Sequence, residues 1–145
     1  MGWLKKLLGL VSKGTKNIRS EIPLVEFSVQ QAQKKEAGSV EGLHYTGYVE
    51  DVKQLKREKR HSAAIDLLLK LIDATEAEAR VAGKGWGVAP WYYEQLAIIY
   101  RKEKRFAEEV AVLERYKAQP KAPGIGPSKL DERLKKARKL LESAP

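Results

Sequence analysis

The sequence contains no cysteine, which excludes disulfides, thiolate metal sites and a cysteine nucleophile. Its only two histidines, His44 and His61, lie 17 positions apart without carboxylates at ligand spacing, so we expect no metal site. The glycines between Gly83 and Gly87 lack the preceding strand and the Lys-Ser/Thr pair of a phosphate-binding loop, and no serine lies in a nucleophile-elbow context. We therefore expect no enzyme activity and no cofactor.

Long apolar runs are also missing, and no stretch approaches the ~20 apolar residues that a membrane-spanning helix needs. Acidic residues are fewer than basic ones, with 19 Asp and Glu against 28 Lys and Arg, which gives a net charge of +9. This excess of positive charge favours an acidic partner, which could be nucleic acid, an anionic lipid surface or an acidic protein segment. The alternative is that the charge serves only solubility. The length of 145 residues suits one domain.

The first 13 residues have the spacing of an amphipathic helix. Lysines lie off an apolar stripe with the spacing of one helical face, which consists of Trp3, Leu4, Leu7, Leu8 and Val11. Such a helix either lies on an anionic membrane surface or docks on the helical domain or on a partner chain. Because lysines interrupt the apolar run and no cleavage site follows, we expect no secretory signal and a cytoplasmic or membrane-peripheral protein.

The sequence pattern of residues 14–44 predicts a linker that is extended or disordered. Leu24, Val25, Phe27 and Val29 suit a short extended piece, and the run from Gln30 to Gly42 has no clear apolar face. A single short strand without a partner does not form a stable sheet.

Residues 45–118 predict four helices, at about 48–57, from 62 to about 79, 90–102 and 106–118. Ser62 is a plausible N-cap and Pro90 suits a first helical turn. Residues 119–127 are rich in proline and glycine and predict a connection. Ser128 with Asp131 then predicts a capping box that opens a last helix over 128–143.

An internal repeat runs through this helical region at an offset of 45 residues. The segment from Leu55 to His61 aligns with the segment from Tyr100 to Phe106, and each copy reads as a helix, a charged turn and a second helix. Ile65 also aligns with Val110. A single helical hairpin cannot bury its apolar face alone, so we expect the two copies to stack.

The second copy resembles a tetratricopeptide repeat (TPR) in its packing positions, which are Tyr93, Leu96, Ala97, Tyr100, Phe106, Val110 and Leu113. Glu109 and Tyr116 stand where smaller residues are usual, and the period is 45 residues rather than 34. The region is also similar to helical segments of uncharacterised bacterial and phage proteins. The resemblance covers about half of the chain and implies an all-α fold of two stacked hairpins with the C-terminal helix as a cap.

The resemblance also implies a ligand groove lined by the first helix of each hairpin. The groove positions that carry over are Lys53, Lys56, Arg57, Trp91, Gln95, Arg101 and Lys102. This basic set predicts a non-enzymatic interaction module for an acidic peptide or partner protein. Binding to nucleic acid and peripheral attachment to a membrane remain alternatives, as does a merely solvated charged face.

Overall fold

The computed structural model describes residues 18–145, with side chains from residue 24 onward. The predicted helix of residues 1–13, with its stripe of Trp3, Leu4, Leu7, Leu8 and Val11, lies outside the described residues. The chain divides into two units, residues 1–33 and residues 34–145. The described residues are mostly helical, which confirms the all-α class.

The described chain begins with helix α1 (Ile18–Ala37), followed by a two-stranded hairpin of β1 (Ser39–Val40) and β2 (Leu43–His44). A short 3₁₀ helix (Tyr45–Tyr48) leads into the helices that build most of the domain. These are α2 (Val49–Arg57), α3 (His61–Ala82), α4 (Pro90–Lys102), α5 (Phe106–Lys117) and α6 (Gly126–Ser143).

The prediction of an extended or disordered linker is wrong over Ile18–Ala37, where the chain is helical. The apolar residues expected to be extended, among them Phe27 at 59% exposure, project from this helix into solvent. The prediction of a linker was based on the lack of an apolar face. Helix α1 forms without such a face, because its second half consists largely of Gln, Lys, Glu and Ala, which favour helix. The strand prediction missed the hairpin, whose turn residues Glu41 and Gly42 have φ of 51° and 84°.

The five helices from α2 to α6 pack in two layers. Each helix contacts the next one along the chain, and α4 also contacts α6. A hydrogen bond from Lys56 to Gln95 joins α2 to α4, and Arg115 of α5 bonds Glu76 of α3. Helices α2, α4 and α6 therefore share one face, and α3 and α5 share the other. Between them lies a core that includes Val52, Leu68, Leu71, Ile72, Tyr93, Leu96 and Leu113.

The two charged turns, one after α2 and one after α4, have the same pattern of backbone hydrogen bonds. Arg60 N donates to Leu55 O at 2.9 Å, and Arg105 N donates to Tyr100 O at 2.8 Å. One residue earlier, Lys59 and Lys104 lie in the left-handed region with φ of 56° and 58°. Both turns are Schellman motifs with lysine at the position that usually holds glycine. The 45-residue sequence repeat is therefore also a repeat of backbone geometry.

The two predicted serine caps are wrong. Helix α3 begins at His61, and its N-cap residue Arg60 makes no side-chain capping bond. Its entry is fixed by the preceding Schellman turn, which leaves Ser62 inside the first turn. Helix α6 begins at Gly126, and the Ser128 hydroxyl donates to Ile125 O at 3.0 Å. Pro127 explains the earlier start, since proline suits the first positions of a helix.

The loop between α3 and α4 is held against the segment that follows α5. Val88 N donates to Pro120 O at 3.0 Å, and Ala89 N donates to the Thr75 hydroxyl at 2.9 Å. A Cβ on Gly87 would lie 2.1 Å from Ala122 N, so this close approach of two backbones requires glycine. The contact fixes where α4 begins relative to α6.

Candidate binding groove

A set of basic side chains lies on the face shared by α2, α4 and α6. We call this face the basic groove and define it by Lys56, Gln95, Arg101, Lys102, Lys129, Arg133 and Lys136. Four of these residues were predicted from the first helices of the two hairpins. The other three come from α6, which closes the layer beside α4.

Lys56 and Gln95 form the part of the groove between α2 and α4. The Lys56 ammonium donates to Gln95 Oε1, so the two predicted residues are direct partners. Burial lowers the pKa of Lys56, and the positive charge of Lys102 lowers it further. The predicted residues Lys56 and Lys102 therefore belong to one electrostatic cluster.

A cleft of about 320 Å³ opens between α4 and α6. We call it the α4–α6 cleft, and its lining residues are Glu94, Arg101, Lys129, Glu132, Arg133 and Lys136. One ion pair crosses it, with Lys129 Nζ 2.9 Å from Glu94 Oε1. On its outer side Glu132 lies 3.5 Å from Lys135 of the same helix. Both lining carboxylates thus have cationic partners.

Arg133 has the least satisfied charge in the cleft. Its Nε is buried and has no hydrogen-bond acceptor among the described residues. Burial lowers the pKa of Arg133, and the nearby guanidinium of Arg101 lowers it further. The carboxylates of Glu109 and Glu94 partly offset these two effects, and an anion placed in the cleft would offset them further.

Arg101 is bound to a fully buried carboxylate. Its Nε lies 2.7 Å from Glu109 Oε1 and 3.0 Å from Glu109 Oε2, and Glu109 is 0% exposed. Glu109 stands at the position where the resemblance to a TPR calls for a small residue. The ion pair explains how a carboxylate is accommodated there, because a buried charge needs a partner. Arg101 is therefore mainly a structural residue that also borders the cleft.

The remaining predicted residues have local partners. Lys53 lies 3.3 Å from Glu50, and Arg57 Nη2 donates to Gln54 Oε1 at 2.7 Å, so both are paired within α2. Trp91 is half-buried and packs edge-on against Tyr92, with ring centroids 5.0 Å apart. The structure thus brings together Lys56, Gln95, Arg101 and Lys102 and leaves the other three at the periphery of the basic groove.

Sequence reasoning missed the contribution of α6 because the resemblance covers only the two hairpins. A signal was present nevertheless: Lys129, Arg133 and Lys136 follow one another at i, i+4 and i+7, the spacing of a single helix face. The buried neighbours Leu130, Leu134 and Ala137 follow the same period one position later. Helix α6 therefore carries two neighbouring stripes. Its apolar stripe packs on the domain, and its basic stripe lies along the edge of that apolar stripe.

Two aromatic features lie away from the basic groove. Trp86 is 42% exposed, and the Lys34 ammonium lies 3.7 Å from its ring centroid. His44 contacts the buried Glu78, which also accepts a hydrogen bond from the Tyr45 hydroxyl at 3.2 Å. The contacts with Glu78 attach the hairpin region to α3, and the Lys34 contact joins the end of α1 to the loop that follows α3.

Within residues 18–145, no helix combines the length and apolar character that crossing a bilayer requires. Comparisons with protein-family models, curated proteins and solved structures found no match to this chain.

Proposed function

We propose that this protein is a non-enzymatic interaction module that binds an acidic peptide, or an acidic segment of a partner protein, in the basic groove. Its helices α2 to α5 are interpreted as two TPR-like hairpins, with α6 as a cap that adds a third helix to the binding face. The observation that carries the proposal is the gathering of basic side chains from three separate helices on one face.

The chemistry of the basic groove suits carboxylate ligands. Lysine ammonium groups supply point charges, and arginine presents a planar fork that binds carboxylate oxygens in pairs. The groove cations are carried on packed helices, which reduces the conformational entropy lost on binding. Glu94 and Glu132 interrupt the positive surface and favour a ligand with spaced negative charges over a uniform polyanion.

A direct test uses a labelled peptide of alternating glutamate and serine, with binding followed by fluorescence anisotropy at low salt. The test variant carries Lys102→Glu and Lys136→Glu, two exposed side chains with no ion pair in the described part of the chain. We expect its affinity to fall at least about tenfold, which corresponds to about 1.4 kcal/mol. Arg101 is left intact because its pairing with Glu109 is structural.

The matched control carries Lys70→Glu and Lys117→Glu, exposed positions on α3 and α5 that change the net charge equally. It should retain most of the wild-type affinity. Equal losses in both double variants would mean that only the overall charge matters, and the groove proposal would be wrong. Tighter binding of an oligonucleotide, weakened alike by both variants and steeply by salt, would instead favour nucleic-acid binding.

A further inference from the structure

The α4–α6 cleft contains two cations whose charges are not matched. Arg101 is bound to Glu109, Lys129 to Glu94, and Glu132 to Lys135 outside the cleft. Arg133 and Lys136 form no ion pair within residues 24–145, although the charges of Glu109 and Glu94 act favourably on Arg133. The cleft therefore holds two positive charges in excess, on side chains that are one helical turn apart.

We propose that the α4–α6 cleft binds the phosphate group of a phosphorylated side chain in the partner peptide, with Arg133 as the principal ligand and Lys136 as its companion. The inference rests on the proposed function, because it specifies one residue of the peptide that the basic groove receives. The Arg133 guanidinium lines the cleft and donates to the phosphate oxygens, and Lys136 neutralises the second negative charge.

Charge distinguishes a phosphate from a carboxylate in this cleft. A phosphate monoester carries about −1.5 to −2 charges near neutral pH and three acceptor oxygens. A carboxylate carries a single charge and leaves one of the two unmatched cations uncompensated. The dianion therefore fits the excess on Arg133 and Lys136.

Burial and space support the same ligand. The Arg133 side chain is half-buried, so its charge is only partly solvated, and an anion in the cleft would compensate for the lost solvation. The volume of about 320 Å³ is roughly ten times the ~30 Å³ that one water molecule occupies in the liquid. A tetrahedral phosphate and part of its side chain can enter.

The cleft suits one phosphate rather than a nucleic-acid backbone. Glu94 and Glu132 both line it, so a second phosphate beside the first would approach a carboxylate. Nucleic-acid binding depends on several phosphates contacted along a continuous basic track. A phosphorylated serine, threonine or tyrosine presents its charge singly, with peptide on either side.

The test compares three peptides of one acidic sequence that carry phosphoserine, glutamate or serine at the same position. Affinity is measured by titration calorimetry, and the Arg133 Nε–Hε resonance is followed by NMR. We expect phosphoserine to bind about tenfold more tightly than glutamate, through added charge-assisted hydrogen bonds. Inorganic phosphate alone should shift the Arg133 resonance to saturation, and acetate at equal ionic strength should not.

Arg133→Lys should abolish most of the preference for phosphoserine, because lysine keeps the charge but lacks the planar guanidinium that binds phosphate oxygens in pairs. The matched control is Arg138→Lys, an exposed arginine of the same helix that lies 3.2 Å from Glu114. It should keep the full preference. A preference that survives Arg133→Lys would overturn the assignment.

The outcomes also separate this inference from the proposed function. Equal binding of the phosphoserine and glutamate peptides would overturn the phosphate site and leave the acidic-peptide groove standing. Failure of all three peptides would overturn the proposed function, even if inorganic phosphate still shifted the Arg133 resonance. An oligonucleotide that displaces the phosphopeptide at lower concentration would overturn the peptide as the source of the phosphate.

Discussion

The pairing of Arg101 with Glu109 illustrates how a single residue can depart from a familiar pattern without disturbing the packing around it. Glu109 is completely buried, whereas 29% of the Arg101 side chain remains exposed. The arginine therefore connects a buried carboxylate to the solvated face of the basic groove. Since the pair spans α4 and α5, it also links the two helices of the second hairpin.

Removing only the arginine should be much more harmful than removing both charges. We expect Arg101→Leu to lower the free energy of unfolding by about 3–5 kcal/mol, because it leaves Glu109 buried and unpaired. The double variant Arg101→Leu with Glu109→Leu should recover most of this loss. Urea denaturation of the wild type, both single variants and the double variant measures the coupling. Additive losses, with the double variant the least stable, would refute the pairing.

The helical elements from α2 to α6 could be predicted from the sequence because each has a strong local signal. Apolar periodicity indicated which segments are helical. The glycines after Ala82 indicated where α3 ends, and Pro90 indicated where α4 begins. Helix α1 could not be predicted in the same way, since its described side chains from residue 24 to residue 33 are almost all exposed. Apolar periodicity identifies helices that bury one face. A helix that forms because of the intrinsic propensity of its residues buries little surface and therefore shows little of this periodicity.

Only part of the candidate site could be predicted from the sequence, because the helices that build it are separated along the chain. Lys56, Gln95, Arg101 and Lys102 follow from the hairpin resemblance. Arg133 lies on α6, about 30 residues further along, and its proximity to α4 depends on tertiary packing. Sequence spacing identifies which residues share a helix face, but it does not identify which other helix that face meets.

The repeated turns give a prediction for the hairpin as an element. Lys104 has φ of 58° at the C′ position of its Schellman motif, where glycine avoids the steric penalty of a side chain. We expect Lys104→Gly to raise the free energy of unfolding by about 0.5–1 kcal/mol. The control Lys70→Gly, in the middle of α3, should lower it by about 1 kcal/mol. A loss of stability in Lys104→Gly would contradict the turn geometry.

The molecule as a whole relies on buried tyrosines in its core. Burial, together with the nearby Tyr45 and Glu78, raises the pKa of Tyr92 to about 12. Burial also raises the pKa of Tyr93, as does its hydrogen bond to Glu76 at 2.8 Å. Each of these phenols favours the neutral form when folded, so folding and tyrosine ionisation oppose each other.

Stability should therefore fall at high pH. Below pH 10.0, the ordinary pKa of tyrosine, the neutral phenols are present in both states and the contribution of Tyr92 is complete. As pH rises from 10 to 12 the unfolded chain loses its proton first, and Tyr92 alone should cost about 2 kcal/mol over this range. Urea titrations across this range measure the slope, which Tyr92→Phe should make shallower. An identical slope in that variant would contradict the burial of Tyr92.

The central claim for the whole molecule is that one face, built by α2, α4 and α6, receives an acidic ligand. The most direct measurement is an NMR titration of the ¹⁵N-labelled full chain with the glutamate-rich peptide, in which each amide reports on its own position. We predict saturable shifts concentrated around Lys56, Gln95, Lys102, Arg133 and Lys136, with α3 and the outer side of α5 unchanged. Shifts centred on α3 and α5, or spread evenly over all exposed lysines, would contradict the claim.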